Sequence, residues 1–499
     1  MKTKRSLLNF ITDVIPLLIV SLLGIFKLKF FIQVLGNETL GLYQLFSQIM
    51  IYIALVDGGL TSAVLFHLYK PNAEKDNNKL NDILTAAKKS FNIIGIIIFA
   101  IAFIVSFFIK FFIKNCAFGM GYLMIVFLLF SLSNVVGYFF VPYQVLLEVK
   151  EKKYLTNLCL QIGQIVLSVL EIIMLLWGFS FVAILIMHAI VKLISNIFVA
   201  ILCKKHFPNI SYKSKKPDFT FKHQIKDLMV HKVNGLIGSN IDILIISKIM
   251  GLGSVAIYSV YNYIINMLKN ILGKISSSIV AIIGNKSAED SEKIYDIYKE
   301  LNSLLFLIAI CICIPLVLAI NGFINIWYEN TISTTSLIAI AFCLLLFVYI
   351  TKLSTTTFVT SNGLFKQTKI CAYCDIVINL SLSLILVRYI GIAGVIFATA
   401  ISQTICEYIM KSIILFKNVF HKNVMVYLLS NLKYLVIALV DFGISYKLIN
   451  LFSINSIMSW FLVFGLFTIL NGLVVLVVFY IIGELRSLSR IKYLITRGA

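Results

Sequence analysis

Apolar residues along this chain come in unbroken blocks instead of recurring on one helical face. Each block, at about 20 residues, is long enough to cross a hydrocarbon core of roughly 30 Å as a helix. The blocks fall at residues 10–34, 42–66, 91–113, 118–143, 155–176, 180–203, 228–250, 255–283, 301–322, 333–357, 370–389, 392–416, 431–452 and 457–482. They predict an all-α polytopic membrane protein of about fourteen transmembrane helices. Two polar segments between blocks have patterns of their own. In "EKDNNKLNDILTAAKKSF" (74–91), Leu80, Ile83, Leu84 and Ala87 recur at helical spacing among lysines, which predicts a short interfacial helix. The segment "KKHFPNISYKSKKPDFTFKHQIKDL" (204–228), with two prolines, seven lysines and interleaved aromatics, reads as a solvated linker between two halves, ahead of specific recognition of lipid headgroups.

One junction is written twice. "VLGNETLGLYQLFSQI" (34–49) leads into the second block and "IMGLGSVAIYSVYNYI" (249–264) into the eighth, with Gly36, Leu42 and Tyr43 of the first matched by Gly251, Ile257 and Tyr258 of the second. An even number of spans separates the copies, so the halves share one orientation, as in transporters built from parallel repeats around a substrate site. The expected organisation is an N-terminal lobe at 1–203, a cytoplasmic linker at 204–227, a C-terminal lobe at 228–416, and an appended helix pair with a basic tail at 417–499. The two six-helix lobes would be related by a pseudo-two-fold axis.

Composition agrees with the blocks. The 499 residues are 60% hydrophobic and 13% charged, and a mean hydropathy of +0.98 is more than a water-soluble fold of this size could hide. A net charge of +21 would suggest nucleic acid on a soluble surface. Here nearly all lysines and arginines fall on one side of the spans, and the other side offers little beyond Lys110, Lys114, Arg388 and Lys447. The positive-inside bias therefore accounts for the charge, puts both termini in the cytoplasm and excludes nucleic acid as a partner. The start "MKTKRSLLNFITDVIPLLIV" mimics a secretory signal, but Asp13 and Pro16 interrupt it, and it reads as the first span. Cys371 and Cys374 lack partner histidines, so packing within a span is expected and no metal. No loop could hold a soluble domain, and no GxxxxGK[ST] stretch is present for nucleotide binding.

The first two spans, "GIFKLKFFIQVLGNETLGLYQLFSQIMIYIALVDGGLTSAVLFHLYKP", resemble polysaccharide or O-antigen flippases of the Wzx type, within the multidrug/oligosaccharidyl-lipid/polysaccharide exporter superfamily. The likeness lies in a basic-flanked first helix, an "LG-x-x-x-x-GLY" turn, and a second helix ending in Asp57, Gly58, Gly59, Leu60 and Ala63; "VRYIGIAGVIFATAISQTI" (387–405) is a fainter echo. The resemblance implies a lipid-linked oligosaccharide substrate on an undecaprenyl diphosphate carrier.

Ionisable residues at membrane depth cost a few kcal/mol each unless they face water or a partner. The spans hold Asp13, Lys27, Lys29, Asp57, Glu171, Lys192, Asp242, Lys248, Lys269, Lys274, Lys352, Asp375, Glu407, Lys411 and Asp441. A diphosphate crossing the bilayer needs its charge offset, which a lysine-lined cavity supplies. Lys27 and Lys269, deepest in their spans, are the first candidates for substrate contact, then Lys29, Lys274 and Lys352; Lys192 and Lys411 read as snorkelling anchors or members of internal ion pairs. Asp57, Asp242, Asp375 and Glu407 are candidates for the coupling site of a cation-driven exporter. Gly58 and Gly59 can loosen the second helix beside Asp57, Gly36 and Gly251 are hinge candidates, and Asp242 matches Lys27 across the repeat, which suggests an ion pair broken during alternation. Gln44 with Gln48, and Gln161 with Gln164, share helix faces and are polar lumen candidates.

The sequence thus reads as a multi-pass secondary transporter, a monomer in the bacterial plasma membrane, that flips lipid-linked oligosaccharide outward. No cofactor is expected beyond a coupling H+ or Na+. Its partners would be membrane lipids and other polysaccharide-assembly proteins. The rivals are a cation-coupled multidrug exporter, which should prefer an acidic cavity, and a membrane polymerase or ligase. The latter reading finds its histidines, His67, His188, His206, His223, His231 and His421, scattered and mostly cytoplasmic.

Overall fold

The computed structural model describes the backbone of residues 2–224, 241–286, 291–452 and 454–484, and the side chains of all of these except 2–14, 223–224, 274–286 and 291–293. The architecture among the described residues is all helical, as apolar surroundings demand: without water, each backbone N–H and C=O must be satisfied within its own segment. In chain order the helices are α1 (Lys2–Ile53), α2 (Leu60–Ala73), α3 (Asn77–Ser106), α4 (Met120–Val135), α5 (Val141–Val149), α6 (Lys153–Leu176), α7 (Phe181–His206), α8 (Asp242–Ile249), α9 (Leu252–Lys286), α10 (Ser291–Trp327), α11 (Ser336–Ser361), α12 (Lys369–Gln403), α13 (Lys411–Leu415), α14 (Val424–Ile449) and α15 (Ile457–Ile481). A π-helical stretch, Thr404–Met410, joins α12 to α13.

Ten helical segments among the described residues are long and apolar enough to cross a membrane, which makes this a multi-pass integral membrane protein. Two of them, Ile15–Asp57 and Lys369–Phe420, run to 43 and 52 residues. Each is broken at a glycine, Gly36 (φ 83°) and Gly391 (φ 60°), and so supplies two of the expected spans. The expected seventh span falls mostly on residues 225–240, outside the described residues, and the eighth on α9, so the count of fourteen rests partly on residues not described.

The chain divides into two compact units, Met1–Ala256 and Ile257–Ala499. This boundary lies beyond the linker expected at 204–227, because α8 is bonded into the first unit. The Ser247 hydroxyl donates to the Phe112 carbonyl (2.8 Å), and the Lys114 N–H donates to the Ser247 carbonyl (3.1 Å). Within the first unit α1 packs along α6, α6 on α7, and α7 on α4, with α2, α3 and α5 alongside. In the second, α10 packs on α11 and α15, and α11 on α12. The C-terminal pair α14 and α15 shares a core with α10, where Tyr434, Val475 and Phe479 close on Phe306, Ile310 and Ile314. Trp460 Nε1 also donates to the Ala319 carbonyl (2.7 Å).

Two polar segments depart from expectation. Residues 77–106 form one continuous helix, capped by Asp76, whose carboxylate accepts from the Lys79 N–H (3.0 Å). The periodic face Leu80, Ile83, Leu84 and Ala87 is buried against Leu60, Val64, Leu68, Tyr143 and Phe221, so it meets protein and not the bilayer surface. The described part of the expected solvated linker is a docked strap. Ser211 N–H donates to Asn81 Oδ1 (2.8 Å), Ser214 N–H to Thr85 Oγ1 (2.9 Å), and the Ser214 hydroxyl to the Asp82 carboxylate. Phe221 is fully buried and Tyr212 packs 4.5 Å from Tyr143, ring to ring. Its aromatics, spaced among the lysines, supply apolar burial that a solvated linker lacks.

Candidate functional site

In the first unit the apolar helices α1, α6 and α7 enclose a charged cluster. Lys27 lies about 13 Å along α1 from the break at Gly36, at 1.5 Å per residue, and so deep in its span. Its Nζ is 3.3 Å from Glu171 Oε2 on α6, and His188 Nε2 on α7 is 2.9 Å from the same oxygen. The Glu171 side chain is 0% exposed and that of Lys27 18% exposed, so Lys27 is the member of the pair open to a ligand. Tyr43, on the other limb of α1, presents its ring to Lys27 (5.6 Å) and to His188 (6.3 Å between centroids). One turn on from His188, Lys192 Nζ donates to Asn134 Oδ1 of α4 (3.0 Å), and Gln144 Nε2 donates to Asn196 Oδ1 (3.0 Å). Cation, carboxylate, imidazole, aromatic face and amides therefore lie together where a membrane helix otherwise offers only hydrocarbon.

The second unit gathers another set. Lys352 Nζ donates to Gln403 Oε1 (2.8 Å) and lies 5.9 Å from the centre of the Tyr349 ring. Lys269 Nζ lies 5.5 Å from that ring, and the Tyr349 hydroxyl donates to the Lys269 carbonyl (3.2 Å). Two of the expected cations thus lie against one aromatic ring. Glu407, in the π-helical stretch, pairs with Lys411 at 2.5 Å, one turn on. Asp375, 9% exposed, lies within electrostatic reach of Lys352, Glu407 and Lys411. Lys411 is thus held in an internal ion pair, one of the two arrangements expected for it, and Lys192 is held by an amide inside its unit.

The remaining candidates scatter. Lys29 is half-buried on α1, and the Lys274 side chain lies outside the described residues. Asp57 accepts from the Gly59 N–H (2.9 Å), so its carboxylate secures the break between α1 and α2. Gly58 (φ 57°) and Gly59 (φ 84°) form that break. Asp242, 5% exposed, opens α8 near Tyr52. Gln48 is 4% exposed and packed inside the unit, not on an open lumen; Gln44, Gln161 and Gln164 are half-buried. Gly36 and Gly251 (φ 100°) both hold the left-handed conformation that favours glycine. Gly41, in the first copy of the junction, touches the second copy, because a Cβ there would stand 2.1 Å from the Leu252 carbonyl oxygen.

Glu171 and His188 are the members of this cluster that the sequence names but does not single out. The signal was present: a lone carboxylate and a lone imidazole sit within neighbouring apolar spans, where each needs a partner.

The sequence profile of the family described as "polysaccharide biosynthesis protein" matches residues 34–336. By sequence, no curated protein matches the chain. Among solved structures, the fold is similar to that of the lipid II flippase MurJ in an inward closed conformation, with TM-score 0.70 and 18% identity over 96% of this chain and 99% of that one. It is also similar to an inward-facing multidrug resistance MATE family transporter of the MOP superfamily, with TM-score 0.62 and 15% identity over 80% of this chain and 95% of that one. An outward-facing conformation of such a transporter has TM-score 0.54 and 15% identity over 80% and 92%. At these identities the likeness is one of fold.

Proposed function

The chain belongs to the family of polysaccharide biosynthesis proteins, and from that premise we propose that it flips a lipid-linked oligosaccharide, carried on undecaprenyl diphosphate, from the inner to the outer leaflet of a bacterial plasma membrane by alternating access. The observation that carries this reading is the Lys27 ammonium, held deep in an apolar helix by a fully buried carboxylate and left partly open. A cation kept there against its desolvation suits a ligand whose anionic group must enter the same apolar region. The Tyr43 face and the amides of Asn134, Gln144 and Asn196 beside it suit sugar hydroxyls and ring faces. That a protein of this fold flips lipid II supports the reading.

In this reading both termini are cytoplasmic, the protein works as a monomer beside other polysaccharide-assembly proteins, and H+ or Na+ is the coupling ion. A multidrug exporter also shares the fold. Drug cations call for unpaired carboxylates; Glu171 and Glu407 are each bound to a lysine, which favours an anionic ligand at these two positions, and the buried Asp375 and Asp441 are the carboxylates an exporter would use. The test is the leaflet distribution of lipid-linked oligosaccharide in cells carrying Lys27→Ala with Lys269→Ala. Accumulation on the inner leaflet at normal protein level is expected; normal export would defeat the assignment, and loss of drug efflux instead would favour the exporter.

A further inference from the structure

Resting on that reading, the cluster around Glu171 carries a second function. The carboxylate offers one oxygen, Oε2, to both Lys27 and His188, at 3.3 Å and 2.9 Å, while its other oxygen, Oε1, is buried with no hydrogen-bond partner. The three partners are unequal in access. Glu171 and His188 are sealed at 0% and 3% side-chain exposure, and Lys27 is open at 18%. Charged and titratable groups face the imidazole from each neighbouring helix: Lys27 and Tyr43 from α1, Glu171 from α6, and Lys192 one turn along α7, with the Asn134 amide of α4 on Lys192. With His188 neutral, the charges of Lys27 and Glu171 cancel.

A phosphate group arriving at Lys27 changes this balance. As the ammonium turns to the phosphate, the Glu171 carboxylate is left sealed among apolar helices with a neutral imidazole, a costly state for a buried charge. One proton from the bulk solvent, entering by the partly open Lys27 side, binds the second imidazole nitrogen, converts His188 to a cation and restores a pair on Oε2; the only bond formed is that N–H, and the proton's former carrier is solvent. We propose that His188 and Glu171 form a proton-binding site linked to the substrate site, which takes up one proton as Lys27 passes from Glu171 to the phosphate of the lipid-linked sugar. Headgroup and proton then reinforce each other's binding, and the coupling is reciprocal. His188 acts through Glu171 and Lys27, and is a positioning residue.

The test has two arms on the full-length protein. In lipid nanodiscs with 15N-labelled histidine, the His188 signal is identified by its loss in His188→Gln, and its protonated fraction is followed between about pH 5 and pH 8. At any fixed pH in that range Lys27→Met is expected to raise the protonated fraction, Glu171→Gln to lower it, and Lys27→Arg, which keeps fold and charge, to leave it unchanged. A His188 signal indifferent to Lys27→Met overturns the proposal, whatever transport does. In the second arm, vesicles report flipping of a fluorescent polyprenyl-diphosphate sugar. Wild-type binding is expected to weaken by up to about tenfold per pH unit on raising pH, the limit for one linked proton, and His188→Gln to flatten that slope while keeping measurable flipping. An unchanged slope in His188→Gln overturns the linkage. If wild type moves no such lipid while His188 still answers to Lys27, the flippase reading fails and the proton site stands.

Discussion

Gly41→Ala tests whether the two copies of the junction lean on each other. A Cβ on Gly41 would lie 2.1 Å from the carbonyl oxygen of Leu252, 2.7 Å from its carbonyl carbon and 3.0 Å from its Cα, where ordinary contact begins at 3.4 Å. All three atoms are backbone, so no rotamer change relieves the clash and the helices must part by about 1.3 Å, an overpacking worth ~1–3 kcal/mol or more. Two other glycines calibrate the effect. Gly36 has nothing within 4 Å of an added Cβ but sits at φ 83°, ψ 167°, so Gly36→Ala carries backbone strain alone, ~1–3 kcal/mol, with no clash added. Gly443, in α14, has open space around it, and Gly443→Ala should gain about 1 kcal/mol of helix propensity. Thermal unfolding of the purified variants in one detergent should therefore rank Gly443→Ala at or above wild type, then Gly36→Ala, with Gly41→Ala lowest and slowest in flipping. A Gly41→Ala variant as stable as Gly443→Ala would show that α1 and the start of α9 do not approach as described.

Three further outcomes follow from the same geometry. Glu171→Gln leaves the Lys27 ammonium without its carboxylate and should destabilise by ~3–5 kcal/mol, of which Lys27→Met in the same chain restores a large part; additive single effects in a double-mutant cycle would mean the pair contributes nothing. Phe221→Ala empties a fully buried site beneath the strap and should cost about 3–5 kcal/mol, read as protease cleavage between residues 207 and 222 that wild type resists. Beyond the last span, burial pushes the Glu484 carboxyl up, but Lys433 and the Ser303 and Tyr434 hydroxyls outweigh it and hold it below its ordinary value. Its contribution is therefore present above the ordinary carboxylate range and lost as pH falls below it, so Glu484→Gln should lose less stability than wild type on acidification through that window.

The spans were legible because length and apolarity alone settle whether a helix can cross hydrocarbon. The breaks were legible because glycine is the one residue that takes a left-handed turn freely, and Gly36, Gly58, Gly59 and Gly251 all do so. Partners were not legible. The face Leu80, Ile83, Leu84 and Ala87 was correctly drawn, yet periodicity does not distinguish a bilayer surface from the strap that returns from beyond α7 to cover it. Lys27 was singled out for its depth, but Glu171 and His188 come from spans far along the chain, and a single sequence gives no measure of which helix lies beside which. Lys192 and Lys411 are left open between anchor and internal pair for the same reason: each has an amide or carboxylate partner that the sequence does not place.

The partners also rank the charges by what they can move. Asp57 bonds two residues along its own chain and Glu407 one turn along its own helix. Asp57 also lies beside the Tyr138 hydroxyl, and Glu407 within electrostatic reach of Lys352 and Asp375. The Lys27, Glu171 and His188 cluster ties α1, α6 and α7 together, and Lys352 with Gln403 ties α11 to α12. Only a bond between helices lets a change of charge or the arrival of an anion alter how helices pack, because a packed interior shifts between discrete arrangements and does not deform smoothly. A ligand-driven change is therefore expected at ties of this kind, the Lys192–Asn134 bond between α7 and α4 among them, and the Lys27 cluster joins a partly open lysine to a sealed acid and imidazole.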